Sequence, residues 1–337
     1  MRPVRSILIG ILAGTSLSSV VEGEVFTAVY GEPDYDRWMY PYNATPGSRI
    51  AAPTFTGYPG PGVDNRYGQT FMGWVTIDIP VDLPPSSYRV ISMTVDIAIA
   101  NDDVVMDKTA DPRETHYEDG PLDEDPGRPF HLSGAGFRGD FNPTTYGEDG
   151  PFPFGAGVAE RNVYALGFDE NGNAIDVSNN LVEGFEPKLF AIGDCADVPQ
   201  GEFIPELSRV TFDIDVEDPS ISCYLSESLS FGTLDLVLSS FHSGEQDGTG
   251  SYPQWLMKEH PLVDIGATTG ATLTLEVEVI EPSGVSGDTN GDSAVNVDDL
   301  LNVLGDFGPC PCCPTDFDGD GVITVDEVLA VIGGWTG

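Results

Sequence analysis

Positive charge is what this 337-residue chain has least of: 14 Lys and Arg stand against 55 Asp and Glu, a net charge of −41, and only three of the cations are Lys. Such a surface repels nucleic acid and anionic membranes, which leaves cations, neutral polymers and basic proteins as natural partners. Long apolar runs are missing as well. The stretch from Ile7 to Leu17, behind Arg2 and Arg5, covers about eleven residues, too few to span a bilayer, and nothing later is apolar enough to do so. With small residues after it, this stretch reads as an export signal, residues 1–23, cleaved between Ser18 and Gly23. The mature protein is then expected to be secreted or held at a cell surface.

Histidine is scarce too, and so are catalytic patterns. His116, His131, His242 and His260 are scattered, none lies in an H-E-x-x-H run, and there is no G-x-S-x-G elbow. Paired carboxylates can drive glycoside hydrolysis, but among 55 any pair is arbitrary without geometry. Lys258-Glu259-His260 is the tightest titratable cluster and reads as a strand-end ion pair. No catalytic residue is nominated. The five cysteines are an odd number for an exported chain. Cys195 and Cys223 are expected to form one disulfide, and a second is expected among Cys310, Cys312 and Cys313, using Cys310.

What the chain does have is 40 Gly and 27 Pro, which favour short strands joined by many turns. From residue 24 to 282, one or two β units are expected: short apolar runs and period-two alternation recur between Gly, Pro, Asn and Asp. Phe212, Ile214 and Val216 alternate with Thr211, Asp213 and Asp215, as in a strand with one wet face. The region is therefore read as a mainly β, antiparallel sandwich or jelly roll. One crossover helix interrupts it, capped by Asp218, opened by Pro219 and closed by Gly232. Asn171-Gly172 predicts a hairpin turn, and the acidic, Pro-bearing stretch 102–129 predicts a long exposed loop. Trp38 and Trp74 are assigned to the core. Tyr252 and Trp255 are nominated as a flat platform on which sugar rings could stack.

The sharpest signal lies in residues 283–337. Asp288-Thr-Asn-Gly-Asp-Ser-Ala-Val-Asn-Val-Asp-Asp299 is echoed 28 residues later by Asp316-Phe-Asp-Gly-Asp-Gly-Val-Ile-Thr-Val-Asp-Glu327. Oxygen side chains fall at positions 1, 3, 5, 9 and 12 of each twelve-residue loop, the EF-hand-type spacing. A hard cation of calcium's size takes six to eight oxygens, and a tight loop turns alternate residues inward. The expected ligands are Asp288, Asn290, Asp292 and Asp299 in the first loop and Asp316, Asp318, Asp320 and Glu327 in the second. Ala294 and Val322 would add backbone carbonyls, and Asn296 and Thr324 would act through water. Two calcium ions are expected. Gly321 eases the sharp turn at position 6, where the first loop has Ser293, so the first site is expected to be the weaker. A short amphipathic helix should follow each loop, carrying Leu300, Val303, Leu304 and Phe307, then Val328, Val331, Ile332 and Trp335.

These two loop–helix repeats resemble the dockerin domains of secreted bacterial polysaccharide-degrading systems, over about 50 of the 337 residues. The resemblance implies a small calcium-clamped helical pair that docks onto a protein partner. Where cohesin-recognising dockerins carry Ser or Thr, this chain has Val297-Asp298 and Val325-Asp326. More faintly, residues 218–279, with Trp255-Leu-Met-Lys-Glu259 ahead of a Leu-rich strand, resemble the closing half of DNRLRE-type carbohydrate-binding jelly rolls. Together these suggest an exported, calcium-binding, non-catalytic module that binds polysaccharide or sits in a surface matrix. The rival readings are a glycoside hydrolase or lyase component, and a purely structural surface protein.

Overall fold

A computed structural model describes residues 23–56, 67–111, 125–148, 155, 157, 160–179, 188–242, 244, 251–280, 284–310, 312–318 and 320–336, with the backbone of Ser6–Ile9. The chain is mainly β, with two antiparallel sheets sharing one core. The first sheet runs, edge to edge, through β1 (Ser6–Ile9), β2 (Glu24–Tyr30), β14 (Thr272–Val279), β6 (Tyr88–Ala98) and β11 (Arg209–Asp213). The second runs through β3 (Tyr35–Met39), β5 (Gln69–Val75), β12 (Thr233–Ser240), β7 (Phe130–Phe137), β8 (Val163–Phe168) and β9 (Ala174–Asp176), with β10 (Ala191–Ile192) also paired to β7. A short ribbon of β4 (Ala51–Pro53) and β13 (Gln254–Leu256) lies beside them.

Alternation explains the first sheet. In β14, Leu273, Leu275, Val277 and Val279 are buried, while Thr274, Glu276 and Glu278 lie on the other face. They meet Trp74, Leu234 and Leu236 of the second sheet in one core with Phe26, Val95 and Phe212. The second sheet is covered on both faces. Its far side holds a second cluster of Met39, Phe71, Val163, Ala165 and Val237, capped by Tyr146 from the one-turn helix α1 (Pro143–Tyr146). Burial on two faces removes the need for alternation, and β5, β7 and β12 accordingly bury nearly every residue.

The crossover helix is α2 (Pro219–Phe231). The Asp218 side chain accepts from the backbone N–H of Ser220 and Ile221, and Gly232 ends the helix at φ +86°. Ile221, Leu225 and Leu229 face the core. Tyr224 Oη donates to the Asp235 carbonyl at 2.6 Å and accepts from Ala135 N at 2.8 Å, which ties the helix to β12 and β7. The Asn171-Gly172 turn is present between β8 and β9, with Gly172 at φ +82° and Asp169 accepting from the N–H of Asn171 and Asn173.

Three expectations need correction. Cys195 and Cys223 are not paired: Cys195 is 4% exposed in the sandwich core, whereas Cys223 sits on the outward side of α2 and bonds Cys312 of the tail. A second disulfide joins Cys310 and Cys313, so Cys310 does take part in one. Trp255 is no ligand platform. It is fully buried, donates from Nε1 to Thr54 Oγ1 at 3.0 Å and packs edge-on against Phe130, because its strand β13 lies under the core rather than on the surface. Tyr252 is half-buried against Phe55, with ring centroids 5.0 Å apart, in a cluster with Trp38 and Tyr40. Finally, the stretch 102–129 is not exposed throughout. Val104 and Met106 are buried and pair with Glu202 and Ile204, while residues 112–124 lie outside the described residues. Trp38 and Trp74 are buried, at 9% and 0% exposure. Ser6–Ile9, inside the expected export signal, lies antiparallel on β2.

Candidate metal centre

Residues 284–336 form two loop–helix units, with α4 (Val297–Gly305) and α5 (Val325–Gly334) as their helices. The hydrogen bonding of the loops repeats with the sequence. In the second loop Asp316 accepts from Gly321 N at 2.8 Å, Asp318 from Asp320 N at 3.1 Å and Asp320 from Val322 N at 2.8 Å. In the first, Asp288 accepts from Ser293 N at 2.7 Å, Asn290 from Asp292 N at 3.0 Å and Asp292 from Ala294 N at 2.8 Å. Each side chain at positions 1, 3 and 5 thereby closes a small ring that curls the backbone inward. Position 6 is left-handed in both loops, at φ +67° for Ser293 and +80° for Gly321. Ser293 carries the steric penalty that Gly321 avoids.

The carboxylates at position 12 do two jobs. Asp299 accepts from Asn296 N at 2.8 Å and Glu327 from Thr324 N at 2.6 Å, while Asn296 and Thr324 cap the helices in return. Asp299 also holds the first loop through Thr289 N, at 2.8 Å. Both are buried. Ahead of Glu327, one carboxylate oxygen from each of Asp316, Asp318 and Asp320 lies within 4.8 Å of the others. The N–H of Asp320 pulls the Asp318 carboxyl down, but burial and the charges of Asp320, Glu327 and Asp316 push harder, and its net shift is upward. The backbone N–H of Thr324 draws the Glu327 carboxyl below its usual range. A cluster of hard oxygens under mutual repulsion is the donor set a calcium-sized cation takes, and the residues present fit one.

The two units interlock. Ile323 of the second loop pairs with Gly308, just after α4, through the ribbon β15 (Gly308–Pro309) and β16 (Val322–Ile323). Val295, its counterpart 28 residues earlier, accepts from Thr336 N at 2.9 Å, just after α5. Their shared core is Val295, Val303, Ile323 and Val331, with Leu300 and Val328 partly buried beside them. The expected apolar stripes are therefore only half buried. Leu304, Phe307, Ile332 and Trp335 stay exposed, since helices of 9 and 10 residues meet over little more than one turn. Val297 and Leu301 on α4 and their equivalents Val325 and Leu329 on α5 are exposed as well, at 53, 59, 59 and 56%.

No protein-family model matches the chain, and no curated protein is significantly similar to it. The site must therefore be judged on its own geometry. A cleft of about 300 Å³ separates the sandwich end at Ser86, Ser87 and Ile280 from the first loop at residues 286–289. Cys223–Cys312 bridges the two parts across 89 residues of sequence. Among the described residues no helix is long and apolar enough to cross a membrane.

The Lys258-Glu259 motif belongs to a second carboxylate group. Asp36, Glu148 and Glu259 converge within 4.8 Å, with Lys258 paired to Glu148 and its N–H on Asp36 at 2.9 Å. Burial, with Glu259 alongside, pushes the Asp36 carboxyl up to about 7. Burial likewise lifts Asp235 to about 6, against the pull of Tyr35 Oη at 2.7 Å. Asp36 is 2% exposed, so the group reads as an ion-paired junction between β3 and the chain after β13. Raised carboxylic pKa values favour the folded state where the groups are protonated. The stability from Asp36 and Asp235 is fully present below about pH 4 and is lost as pH rises through 6 and 7. Asp36→Asn is therefore expected to gain on the wild type by a few kcal/mol between pH 4 and pH 8. Urea midpoints at the two pH values check this, and a constant gap would refute it.

The buried histidines are held neutral near pH 7. Burial pushes His131 down to about 4 and His242 down to about 3, and His260 Nδ1 accepts from Leu262 N at the start of the one-turn helix α3 (Pro261–Asp264). His116 lies outside the described residues.

Proposed function

We propose that this is an exported, calcium-binding, non-catalytic module whose C-terminal helical pair docks onto a protein partner, holding the β-sandwich in a cell-surface or extracellular matrix. The observation that carries this reading is the convergence of Asp316, Asp318 and Asp320 in a loop closed by the buried Glu327, with oxygen side chains at the same positions from Asp288 to Asp299. Two bound calcium ions would clamp α4 and α5 so that their matched apolar residues stay outward. Leu301, Leu304, Leu329 and Ile332 then form a duplicated surface suited to an apolar partner face. The acidic remainder discourages non-specific association.

Polysaccharide binding by the sandwich is the weaker part of the reading. Trp255 is buried and Tyr252 half-buried, and among the described residues of the sandwich the exposed aromatics are Phe203, Phe231 and Tyr42. Calorimetric titration tests the tail. Asp320→Ala with Glu327→Ala is expected to remove one calcium per chain without changing the sandwich's far-UV signal. An unchanged stoichiometry would reject the ligand assignment.

A further inference from the structure

A second cation site, apart from the tail, lies where the acidic stretch folds back on the sandwich. Residues 104–108 are not loose. Met106 N donates to the Glu202 carbonyl at 2.9 Å, Gly201 N to the Met106 carbonyl at 2.9 Å and Ile204 N to the Val104 carbonyl at 2.9 Å. This bridge delivers Asp107 into the interior at 0% exposure. The returning chain passes directly over it. Gly127 is at φ +114°, where a Cβ would meet Asp107 Cβ at 3.0 Å and the Val105 carbonyl oxygen at 3.3 Å. One carboxylate oxygen from each of Asp107, Asp111 and Asp125 then falls within 4.8 Å of the others.

Thr109 and Gln200 hold two of these carboxylates in place. Asp107 Oδ1 accepts from Thr109 N at 3.0 Å, Thr109 Oγ1 at 2.9 Å and Gln200 Nε2 at 2.9 Å. Asp125 Oδ2 accepts from the same hydroxyl and amide at 2.8 and 2.9 Å. Gln200 is itself fixed, since its Oε1 accepts from Lys108 N at 2.7 Å. Asp111 Oδ2 pairs with Arg128 at 3.0 Å. Asp107 Oδ2 is different: it is buried and has no hydrogen-bond partner. A buried anionic oxygen left in that state is strongly disfavoured unless something unseen completes it.

Among the described residues, the neighbouring Lys108 does not do so. The ammonium of Lys108 is committed to Asp194 at 2.5 Å and to the Cys195 carbonyl at 3.2 Å. Three carboxylates converge there, and a divalent cation would offset their mutual repulsion. Among the described residues the donors gathered there are hard oxygens, with no sulfur or imidazole in the group. We infer that Asp107, Asp111 and Asp125 bind a calcium ion that pins the acidic stretch onto the sandwich, with Gln200 and Thr109 as positioning residues.

The test separates this ion from the tail. In the full chain, Asp288→Ala, Asp292→Ala, Asp316→Ala and Asp320→Ala together disable both tail loops, and ions are counted by native mass spectrometry and calcium titration. One calcium is expected to remain, and calcium is expected to raise the melting temperature of the sandwich. Adding Asp107→Asn, which keeps the shape and an oxygen for Thr109, is expected to weaken binding at least tenfold and abolish that rise. Asp125→Asn serves as the second variant should the first not fold. Zero calcium on the tail-disabled chain, or unchanged affinity in the Asn variants, overturns the site whatever the fate of the tail reading.

Discussion

Chelation of calcium is expected to unfold α4 and α5 while the sandwich keeps its main melting transition. The tail core has only four fully buried apolar side chains, Val295, Val303, Ile323 and Val331. A unit of some fifty residues with so small a core is not self-sufficient, and units of that size usually rely on a metal or a disulfide. Ten carboxylates and no Lys or Arg lie between Gly284 and Gly337, so no basic side chain of the tail offsets the repulsion among Asp316, Asp318 and Asp320. With a calcium affinity near 10⁻⁴ M, about 10 mM calcium would stabilise the folded tail by about 2.7 kcal/mol per ion. The readout is far-UV circular dichroism of full-length protein during EGTA titration. The expected change is loss of the helical signal of segments of 9 and 10 residues, reversed by calcium. The sandwich transition should fall by no more than the few degrees that losing the ion at Asp107 would cause. Helices that persist in EGTA would remove calcium from the account.

The second large effect concerns Cys223–Cys312. Replacing both residues with Ser is expected to lower stability by as much as about 4–5 kcal/mol, the chain-entropy value for a cross-link closing 89 residues. The loss should be confined to the tail and its seat on α2, because the core face of α2 is formed by Ile221, Leu225 and Leu229 on the opposite side. Guanidinium unfolding, followed by proteolysis of the released tail, measures it. Peptide mapping of the unreduced protein should find Cys195 as a free thiol, with the thiol pushed up by burial. A Cys195–Cys223 peptide, or an unchanged midpoint in the double variant, would contradict the bridge.

Alternation was legible from sequence where a strand has one wet face, while strands buried on both faces carry no such period. The alternation around Phe212 announced β11, although the strand ends at Asp213, and Asp218, Pro219 and Gly232 marked α2 to the residue. Tyr35–Met39 escaped notice because Asp36, Arg37, Trp38 and Met39 are all buried, two of them charged, so that no period survives. Phe130–Phe137 was hidden for the same reason, with Gly134 and Gly136 admitting the Tyr224 and Tyr164 rings close to the backbone. The tail loops were legible because each ligand position is also a backbone-curling position, so chemistry and geometry impose the same spacing. The Asp107 group was not. Its members are joined only by the return of the chain at Gly127 and by Gln200, which lies 93 residues from Asp107.

The covalent bridge from α2 to the tail also has a mechanical meaning. The chain leaves the sandwich through β14, which is flanked by β2 and β6 in the middle of its sheet. A pull applied at the last helices would, along the main chain alone, peel that strand out from between its neighbours. The Cys223–Cys312 link offers the tension a parallel route into a thirteen-residue helix seated on both sheets. A load on the tail would then reach the sandwich without first unzipping the strand on which its architecture depends.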